Sequence, residues 1–283
     1  MCFLFQKPNI LTKKYIKRFI NVPIGMNPGK KESGEGKVTT KHGIIRIDLG
    51  KRLFEHVQDE VVTETTIQLF VNNKPSTVFT CSPSKTRELI VGHLLTQGVI
   101  NSPEEILQLR FEKEKAVVKL LHENGIRTKK EEKAKKPKKF QNLVLNPETV
   151  LNAAKMLDSK AAVFKRTGGT HAATLLDSKG EVLAFSEDIG RHNAVDKVIG
   201  EAALKRISLE QTILASTGRL SAEIVCKAVN VSIPVVVSLA SSTDKGIEVA
   251  EKRGLTLIGF VRGERFNVYS HPERIKKIFG PES

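Results

Sequence analysis

The sequence predicts an α/β protein in which a three-layer domain with a mixed sheet follows a smaller α+β subdomain. From residue 147 onward, helix-like and strand-like runs alternate in the order α-β-β-α-β-α-β-α-β. The runs Val235–Val237 and Leu255–Phe260 are almost wholly apolar, as in strands that helices cover on both faces. Right-handed crossovers fold such an order into a mixed sheet between two helical layers.

Two basic segments divide the chain of 283 residues, which is long enough for two domains. Residues 1–41 are predicted to form a basic extension and linker, and residues 122–146 a basic connector whose lysine-rich part cannot bury a hydrophobic face. We therefore place the N-terminal α+β subdomain at residues 42–121 and the three-layer domain at residues 147–283.

Local patterns define the elements of the subdomain. Residues 66–71 alternate as a half-buried strand does, Asn72-Asn73-Lys74 signals a turn, and Pro83 opens a helix that ends near Gly98. The predicted strands are residues 44–49, 61–71, 76–80, 107–111 and 116–121.

The elements of the larger domain follow in the same way, beginning with a helix that Pro147 opens. The predicted strands are residues 172–176, 182–185, 212–215, 234–239 and 255–261, and the further helices are residues 191–206, 221–229 and 245–252. This order of elements matches the cytidine-deaminase-like fold.

The zinc chemistry of that fold is excluded by the residues themselves. Zinc deaminases need H-x-E at one helix start and P-C-x-x-C at the next. The corresponding positions are His192-Asn193-Ala194, without a glutamate, and residues 217–222, without a cysteine. We expect no metal site and no zinc.

The net charge of +15 is concentrated outside the predicted folded units. Residues 1–41 hold nine Lys or Arg and two Glu, and residues 127–139 hold eight and two, so these two segments contribute +7 and +6. Solvated charge runs of this kind do not make a nucleic-acid-binding face, and we expect no nucleic-acid partner. No run approaches the length of a membrane span. Three widely spaced cysteines favour a reducing cytoplasm.

Short polar loops follow or precede most of the strands in the larger domain, and each combines small residues with Arg, Lys or His. Such loops let backbone N–H groups approach an anion, and helix N-termini add positive partial charge. Because ligands favour the carboxyl ends of strands in open α/β sheets, we predict one pocket for a phosphorylated or nucleotide-like ligand. The loops are residues 166–171, 188–193, 216–219, 241–246 and 262–265.

Each loop also has a purely structural alternative. Ser or Thr could cap the helices that follow residues 216–219 and 241–246, and Arg262 and Arg265 could form a surface salt-bridge cluster with Glu264. Phe260 could stack on a base or belong to the core. His171 could be a pocket donor or simply hold the fold, and His192 could act as an acid or base or lie on a solvated helix face. The candidate ligand-binding residues are His171, Arg191, His192, Ser216, Thr217, Arg219, Thr243, Arg262 and Arg265.

The three cysteines give no obvious reactive site. Cys226, between Val225 and Ala228 in a predicted helix, is expected to be buried and inert. Cys81 precedes a helix start, where a thiol pKa can fall, although a small structural role is the alternative. Cys2 lies in the basic extension.

These motifs together resemble the formate dehydrogenase accessory protein (FdhD) family of sulfurtransferases, over about residues 61–275. The motifs that carry the resemblance are residues 167–173 (TGGTHAA), 188–198 (DIGRHNAVDKV), 216–219 (STGR), 259–269 (GFVRGERFNVY), 80–84 (TCSPS) and 87–95 (RELIVGHLL).

The resemblance implies a sulfur carrier of formate dehydrogenase maturation, often a homodimer. It would take sulfur as a persulfide from a cysteine desulfurase and pass it to a molybdenum (or tungsten) bis(molybdopterin guanine dinucleotide) cofactor. That cofactor then enters the catalytic subunit of formate dehydrogenase. By motif match, the cofactor would contact Phe260, Val261, Arg262, Gly263, Glu264 and Arg265.

One departure from the family concerns the reacting thiol itself. The family carries its persulfide on a C-x-x-C in the connector, whereas residues 124–139 contain no cysteine. Since a thiolate is the nucleophile that holds a persulfide, no family-type catalytic residue can be carried over. Two versions follow: sulfur transfer through Cys81 or a partner's thiol, or a non-transferring chaperone or scaffold that binds the cofactor. A protein-binding role of the basic segments is a further alternative.

Overall fold

A computed structural model describes residues 35–122, 140 and 143–277. The predictions for residues 1–34, and for most of the connector, lie outside this part of the chain. The strands are β1 Thr39–Asp48, β2 Leu53–Val62, β3 Thr65–Val71, β4 Lys74–Cys81, β5 Ile106–Glu112, β6 Lys115–Leu120, β7 His171–Leu176, β8 Val182–Asp188, β9 Ile213–Ser216, β10 Val235–Ser238, β11 Thr256–Arg262 and β12 Arg265–Ser270. The α-helices are α1 Thr86–Thr96, α2 Pro147–Lys160, α3 Ala162–Thr167, α4 Arg191–Leu204, α5 Ala222–Asn230 and α6 Asp244–Arg253.

A mixed six-stranded sheet forms the centre of the larger domain, with strand order β12-β11-β10-β9-β7-β8. Strands β9, β10 and β11 are parallel, while β7, β8 and β12 pair antiparallel with their neighbours. The predicted mixed sheet is therefore confirmed.

Helices cover both faces of this sheet because its central strands are apolar on both sides. Val235 and Val237 pack in one cluster with α2, whereas Val236, between them, packs in a second cluster with α4 and α5. The three-layer arrangement is thus built from the alternation of side chains along each strand.

The N-terminal part of the structure contains two further sheets. A four-stranded sheet has the order β4-β3-β6-β5, and β1 pairs with β2 in a separate antiparallel ribbon from Thr39↔Val62 to Asp48↔Leu53. The apolar residues of the four-stranded sheet and α1 belong to the same hydrophobic cluster as α4 and α5. One core therefore runs through both predicted units, whose boundaries remain a prediction.

The two units meet where α1 crosses α4 at a pair of glycines. A Cβ atom on Gly92 would lie 1.8 Å from the Asp196 carbonyl oxygen, and one on Gly200 would lie 1.9 Å from the Glu88 carbonyl oxygen. The helices are therefore in backbone contact, which no other residue would permit at these two positions.

The structure differs from the predicted elements in four places. The strand predicted at residues 61–71 is two strands, since β2 ends at Val62 and β3 begins at Thr65. The helix α3 was not predicted, and neither was β2 over most of its length, because neither element has a buried side chain that would give a clear apolar period. The predicted final strand is followed by β12, so residues 262–265 form a hairpin turn.

We expect Gly92→Ala to destabilise the protein by about 3 kcal/mol, the upper end of the cost of overpacking, since the contacted atom belongs to the backbone. Urea unfolding measures the change. Gly43→Ala is the matched control, because its Cβ would meet only the Gln58 side chain at 3.4 Å. Equal stability of the two variants would contradict a backbone contact between α1 and α4.

Candidate functional site

The predicted polar loops meet at one edge of the six-stranded sheet. Strands β9 and β10 end there at the paired residues Ser216 and Ser238. Antiparallel β7 begins at the same edge with His171, which pairs with Asp188 at the end of β8. We call this edge, together with the starts of α4, α5 and α6, the loop edge.

The loops after β9 and β10 are joined by backbone hydrogen bonds. The Leu220 N–H donates to the Ser241 carbonyl at 3.0 Å, and the Thr243 N–H donates to the Leu220 carbonyl at 3.1 Å. The Ser238 hydroxyl donates to the Gly218 carbonyl at 2.7 Å, and the Gly218 N–H donates to the Ser216 hydroxyl at 3.1 Å. Ser216 is therefore a turn-forming residue, buried beneath the loop.

His171 and Thr217 are in contact at the centre of the loop edge. The Thr217 hydroxyl accepts from the Ala172 N–H at 3.0 Å and lies 3.2 Å from Nδ1 of His171. Burial and the nearby positive charge of Arg191 lower the pKa of His171 against the opposing charge of Asp188. At neutral pH its imidazole is consequently uncharged and able to donate or accept one hydrogen bond.

Arg191 lies across the backbone of the loop after β9. A Cβ atom on Gly218 would come within 2.7 Å of the Arg191 Cβ, which explains why this loop contains a glycine. The Nε atom of Arg191 is buried without a hydrogen-bond partner. The hydroxyl oxygens of Ser221 and Ser242, at the same edge, are also buried without a hydrogen-bond partner.

His192 follows Arg191 in the first turn of α4. Its Nε2 lies 3.5 Å from the carboxylate of Glu223 on α5. Burial and the charges of Arg191 and Lys227 lower the pKa of His192, while Glu223 and Asp196 oppose that shift.

Asp188 anchors the loop before α4. It is fully buried, and its carboxylate accepts from the Ser82 N–H at 3.0 Å, the Gly190 N–H at 2.8 Å and the Asn193 amide at 3.0 Å. The Lys197 ammonium, also fully buried, completes the set at 2.6 Å and donates to the Ser82 carbonyl at 3.1 Å. The sequence analysis did not identify this ion pair, because Asp188 ends β8 and Lys197 lies within α4, so only the fold brings the two side chains together.

One candidate ligand-binding residue has the helix-capping role that the sequence analysis named as the alternative. Thr243 is the N-cap of α6, and its hydroxyl accepts from the Gly246 N–H at 3.1 Å. Arg219, by contrast, is exposed beside the same loops. The Thr243 hydroxyl is therefore engaged in capping α6, whereas the exposed side chain of Arg219 can contact a ligand.

The hairpin between β11 and β12 extends past the loop edge. The last residue of β11 that pairs with β10 is Ile258, so Phe260 and Arg262 lie beyond the end of the neighbouring strand. Phe260 has a positive φ of 53° at a β-bulge, and the Arg262 guanidinium lies 5.7 Å from the centre of its ring.

The residues of this hairpin divide into one buried and several exposed side chains. Val261 is 2% exposed and packs in the core, whereas Arg262, Glu264 and Arg265 are exposed and Phe260 is 38% exposed. Gly263 has a φ of 59°, which the tight turn requires. Within the described residues no ion pair joins Glu264 to either arginine, so the guanidinium groups are available to solvent or a ligand.

The two cysteines that the structure describes have opposite environments. Cys81 is completely buried, and burial together with the Asp188 charge raises its pKa to about 12, although Lys197 opposes the shift. Its thiol is therefore neutral and inaccessible, which argues against it as a sulfur carrier. Cys226 was predicted to be buried, and this is wrong: it is exposed on α5.

None of the described helices combines the length and hydropathy needed to cross a bilayer. The described residues also contain no group of three or more His, Cys, Asp and Glu side chains arranged to hold a metal ion.

The fold defines a cytidine-deaminase-like domain, and its loop edge carries arginine and histidine side chains. Residues 62–276 match the FdhD/NarQ family, and the chain belongs to that family. The predicted resemblance is thus confirmed.

Individual relatives agree with this assignment. The chain is 36% identical over 237 residues to the sulfur carrier protein FdhD of Sulfolobus acidocaldarius, which covers 77% of this chain and 92% of the relative. It is 31% identical over 262 residues to the protein of the same name from Bacillus subtilis, covering 85% and 99%.

A solved structure is similar as well. The crystal structure of a protein from Desulfotalea psychrophila, described as a formate dehydrogenase accessory protein, matches 85% of this chain and 100% of its own. The TM-score is 0.74 at 26% sequence identity.

We expect Lys197→Met to destabilise the protein by about 3–5 kcal/mol, because Asp188 would remain buried without its ionic partner. Urea unfolding measures the loss. Lys205→Met is the control, since Lys205 pairs with Glu201 while 54% exposed and should cost less than about 1 kcal/mol. Similar small losses in both variants would show that the buried pair is not structurally required.

A second buried carboxylate makes stability depend on pH. Burial disfavours ionisation of Asp196, but a hydrogen bond from His93 and the charge of Lys227 outweigh it, and its pKa lies below the ordinary value of 3.8. Because the folded pKa is lower than the unfolded one, this stabilisation is complete above the unfolded pKa and is lost as pH falls through the folded pKa.

We therefore expect the free energy of unfolding to fall as the pH drops below the ordinary aspartate pKa of 3.8, and Asp196→Asn to remove that part of the fall. The variant should also be less stable at neutral pH, since it leaves Lys227 without its carboxylate. Asp158→Asn, at an exposed position on α2, serves as the control. An unchanged acid limb in Asp196→Asn would contradict the ionised buried carboxylate.

Proposed function

We propose that this chain is a sulfur-carrying accessory protein of formate dehydrogenase maturation, and that it binds a guanine dinucleotide form of the molybdenum or tungsten cofactor at its loop edge. The observation that carries the proposal is the convergence of loops from β9, β10 and β7 beside an exposed arginine hairpin. The names of the relatives, sulfur carrier protein and formate dehydrogenase accessory protein, support the link to sulfur and to formate dehydrogenase, and the cofactor is what the family resemblance implies.

The chemistry of the loop edge suits the phosphates of such a cargo. Arg191, Arg219, Arg262 and Arg265 supply positive charge, and the buried Asp188 is neutralised by Lys197. The Arg191 Nε and the hydroxyls of Ser221 and Ser242 are buried without partners, and phosphate oxygens are the acceptors that would satisfy them. The two histidines are uncharged at neutral pH and add hydrogen-bonding groups without further charge.

The hairpin offers a place for the guanine. Phe260 presents a partly exposed ring at a bulge, and Arg262 lies against that ring, an arrangement that can extend into a stack with a base. Planar arginine side chains also recognise carbonyl and ring nitrogen acceptors in pairs. In this proposal the hairpin holds the base and the loop edge holds the phosphates.

A second candidate is a chaperone or scaffold that holds the same cargo without transferring sulfur. The absence of cysteine from residues 124–139 and the burial of Cys81 favour it. Both candidates share the cofactor site and the expected partners, a formate dehydrogenase catalytic subunit and a second copy of this chain. They differ in whether a cysteine desulfurase is also a partner.

Calorimetric titration with GDP tests the site. We expect the wild type to bind GDP and Arg262→Ala/Arg265→Ala to bind at least about tenfold more weakly, since each lost hydrogen bond to a charged group is worth roughly 1.5–3 kcal/mol. Arg110→Ala is the matched control, because Arg110 is an exposed arginine on β5 of the other sheet. Absence of binding to the wild type, or equal affinity in the double variant, would contradict the proposed site.

A further inference from the structure

The ribbon of β1 and β2, residues 39–62, concentrates the exposed apolar side chains of the protein. Of the eleven large apolar side chains that are exposed among the described residues, five lie in this ribbon or its turn. Exposed apolar residues that are scattered singly need no explanation, whereas a group of this kind marks an interaction surface. The five residues are Ile45, Ile47, Leu49, Leu53 and Phe54.

Three of these side chains lie on one face of the ribbon. Paired residues of an antiparallel ladder share a face, and the register pairs Ile45 with His56 and Ile47 with Phe54. From Gly43 to the turn, every Lys, Arg, Asp and Glu of the two strands belongs to the opposite face. The ribbon therefore presents an uncharged, largely apolar face to its surroundings.

The outer edge of β1 lacks the irregularities that interrupt the other sheet edges of this protein. A β-bulge or similar register shift occurs in the pairing of β4, β5, β8 and β12, which are the edge strands of the two larger sheets. The ladder of β1 with β2 shows no register shift from Thr39↔Val62 to Asp48↔Leu53, and β1 contains no proline. Because bulges and prolines hinder pairing with another chain, β1 is well suited to accept a further strand.

The two strands of the ribbon differ in their support. β2 is held against the larger domain, since the Arg166 side chain of α3 donates to Glu60 at 3.1 Å and Gly169 lies close to Val62. Within the described residues, β1 pairs with β2 alone. An isolated two-stranded ribbon is marginally stable in water, whereas three or more strands with an apolar face are stable. A further strand on β1 would thus stabilise the ribbon as well as cover its edge.

The hydrogen-bond pattern shows which backbone groups of β1 face outward. The Thr63 N–H donates to the Val38 carbonyl at 2.8 Å, so the pair that precedes the ladder is a hydrogen-bonded pair. Hydrogen-bonded and non-hydrogen-bonded pairs alternate along an antiparallel ladder. The N–H and carbonyl groups of Gly43, Ile45 and Ile47 consequently point away from β2, toward the open edge.

We propose that β1 pairs antiparallel with β1 of a second copy of this chain, about a twofold axis at Ile45. The two ribbons then form one four-stranded sheet. This inference rests on the part of the proposed function that expects a second copy as a partner. A twofold contact requires only one self-complementary surface, and the uncharged face and open edge of the ribbon provide it.

The apolar residues fit this register. Because directly opposite residues share a face, Ile45 lies opposite the partner's Ile45, and Gly43 lies opposite the partner's Ile47. The apolar side chains of the two ribbons therefore form one continuous band across the four strands. This band combines two small apolar surfaces, each of which is exposed in a single chain.

The charged residues favour the same register over its neighbours. With the axis at Ile45, His42 lies opposite the partner's Asp48, a pair of opposite charge when the imidazole is protonated. An axis at Arg46 would place two guanidinium groups directly opposite each other, and an axis at Ile44 would place Arg46 opposite His42. Like charges in directly opposite positions destabilise a sheet.

The first test is the oligomeric state of the full chain, measured by sedimentation velocity over a range of protein concentrations. We expect a reversible dimer with a micromolar dissociation constant, since one strand pairing buries less than the about 800 Å² per partner of a standard interface. Gly43→Pro should dimerise at least about tenfold more weakly, because two outward N–H donors are lost per dimer. Gly43→Ala keeps the N–H and is the matched control, which should dimerise like the wild type.

A mixing experiment tests the position of the twofold axis. Ile45→Glu and Ile45→Lys should each dimerise more weakly than the wild type, because like charges would lie opposite each other. An equimolar mixture of the two variants should recover the dimer through opposite charges. Leu107→Glu and Leu107→Lys are the controls, since Leu107 on β5 is 51% exposed and Ile45 is 52% exposed. Both controls should dimerise like the wild type, alone or mixed.

Three results would overturn the proposal. A wild type that stays monomeric at the highest concentration would assign the β1 edge to another segment or another protein. Undiminished dimerisation of Gly43→Pro would place the contact between copies elsewhere. Failure of the Ile45→Glu and Ile45→Lys mixture to dimerise better than either variant would exclude the axis at Ile45.

GDP titration of the same preparations separates this inference from the cofactor site. Ile45→Glu should bind GDP like the wild type, because residue 45 lies on the ribbon and not at the loop edge. A wild type that dimerises through the ribbon but binds no GDP keeps the contact between copies and removes the cofactor site. A wild type that binds GDP but stays monomeric does the reverse.

Discussion

The buried ion pair between Asp188 and Lys197 is the interaction on which the arrangement of the loop edge depends. A single carboxylate collects donors from the end of β8, from the start of α4 and from Ser82 at the junction of β4 and α1. Ser82 is thereby fixed to the continuous segment that runs from the end of β8 into α4, more than a hundred residues away in the chain. The Asp188 carboxylate therefore fixes the first turn of α4, and that turn sets the positions of Arg191 and His192.

This anchoring also decides the electrostatics of the site. Both buried lysines of α4 and α5, Lys197 and Lys227, are matched by a buried aspartate, so neither adds net charge to the loop edge. The positive field there comes from arginines, which remain charged in any protein environment. Burial and the charge of Arg191 lower the pKa of both neighbouring histidines, so the site combines permanent cations with neutral imidazoles. Such a combination suits a polyanionic ligand that must also be released.

Much of the fold and the grouping of the polar loops could be predicted from the sequence, because strongly apolar strands and glycine-rich turns are local signals. What could not be predicted depends on contacts between distant residues or on weak periodicity. Strand β12 carries polar residues at Arg265 and Asn267, so its pairing with β11 is visible only in the sheet. The exposure of Cys226 was missed because nearby residues in the sequence, Val225 and Ala228, are apolar. Those two side chains pack in the core, whereas Cys226 lies on another face of the helix. Whether the loops hold the predicted cargo is a question of ligand chemistry, which the fold alone does not answer.

The contact between Gly92 and Gly200 has a consequence for motion. With two helix backbones touching, α1 and α4 cannot slide past or rotate about one another without separating atoms that are already at van der Waals distance. A hinge motion between the N-terminal sheet and the six-stranded sheet about this crossing would therefore have to separate the two helix backbones.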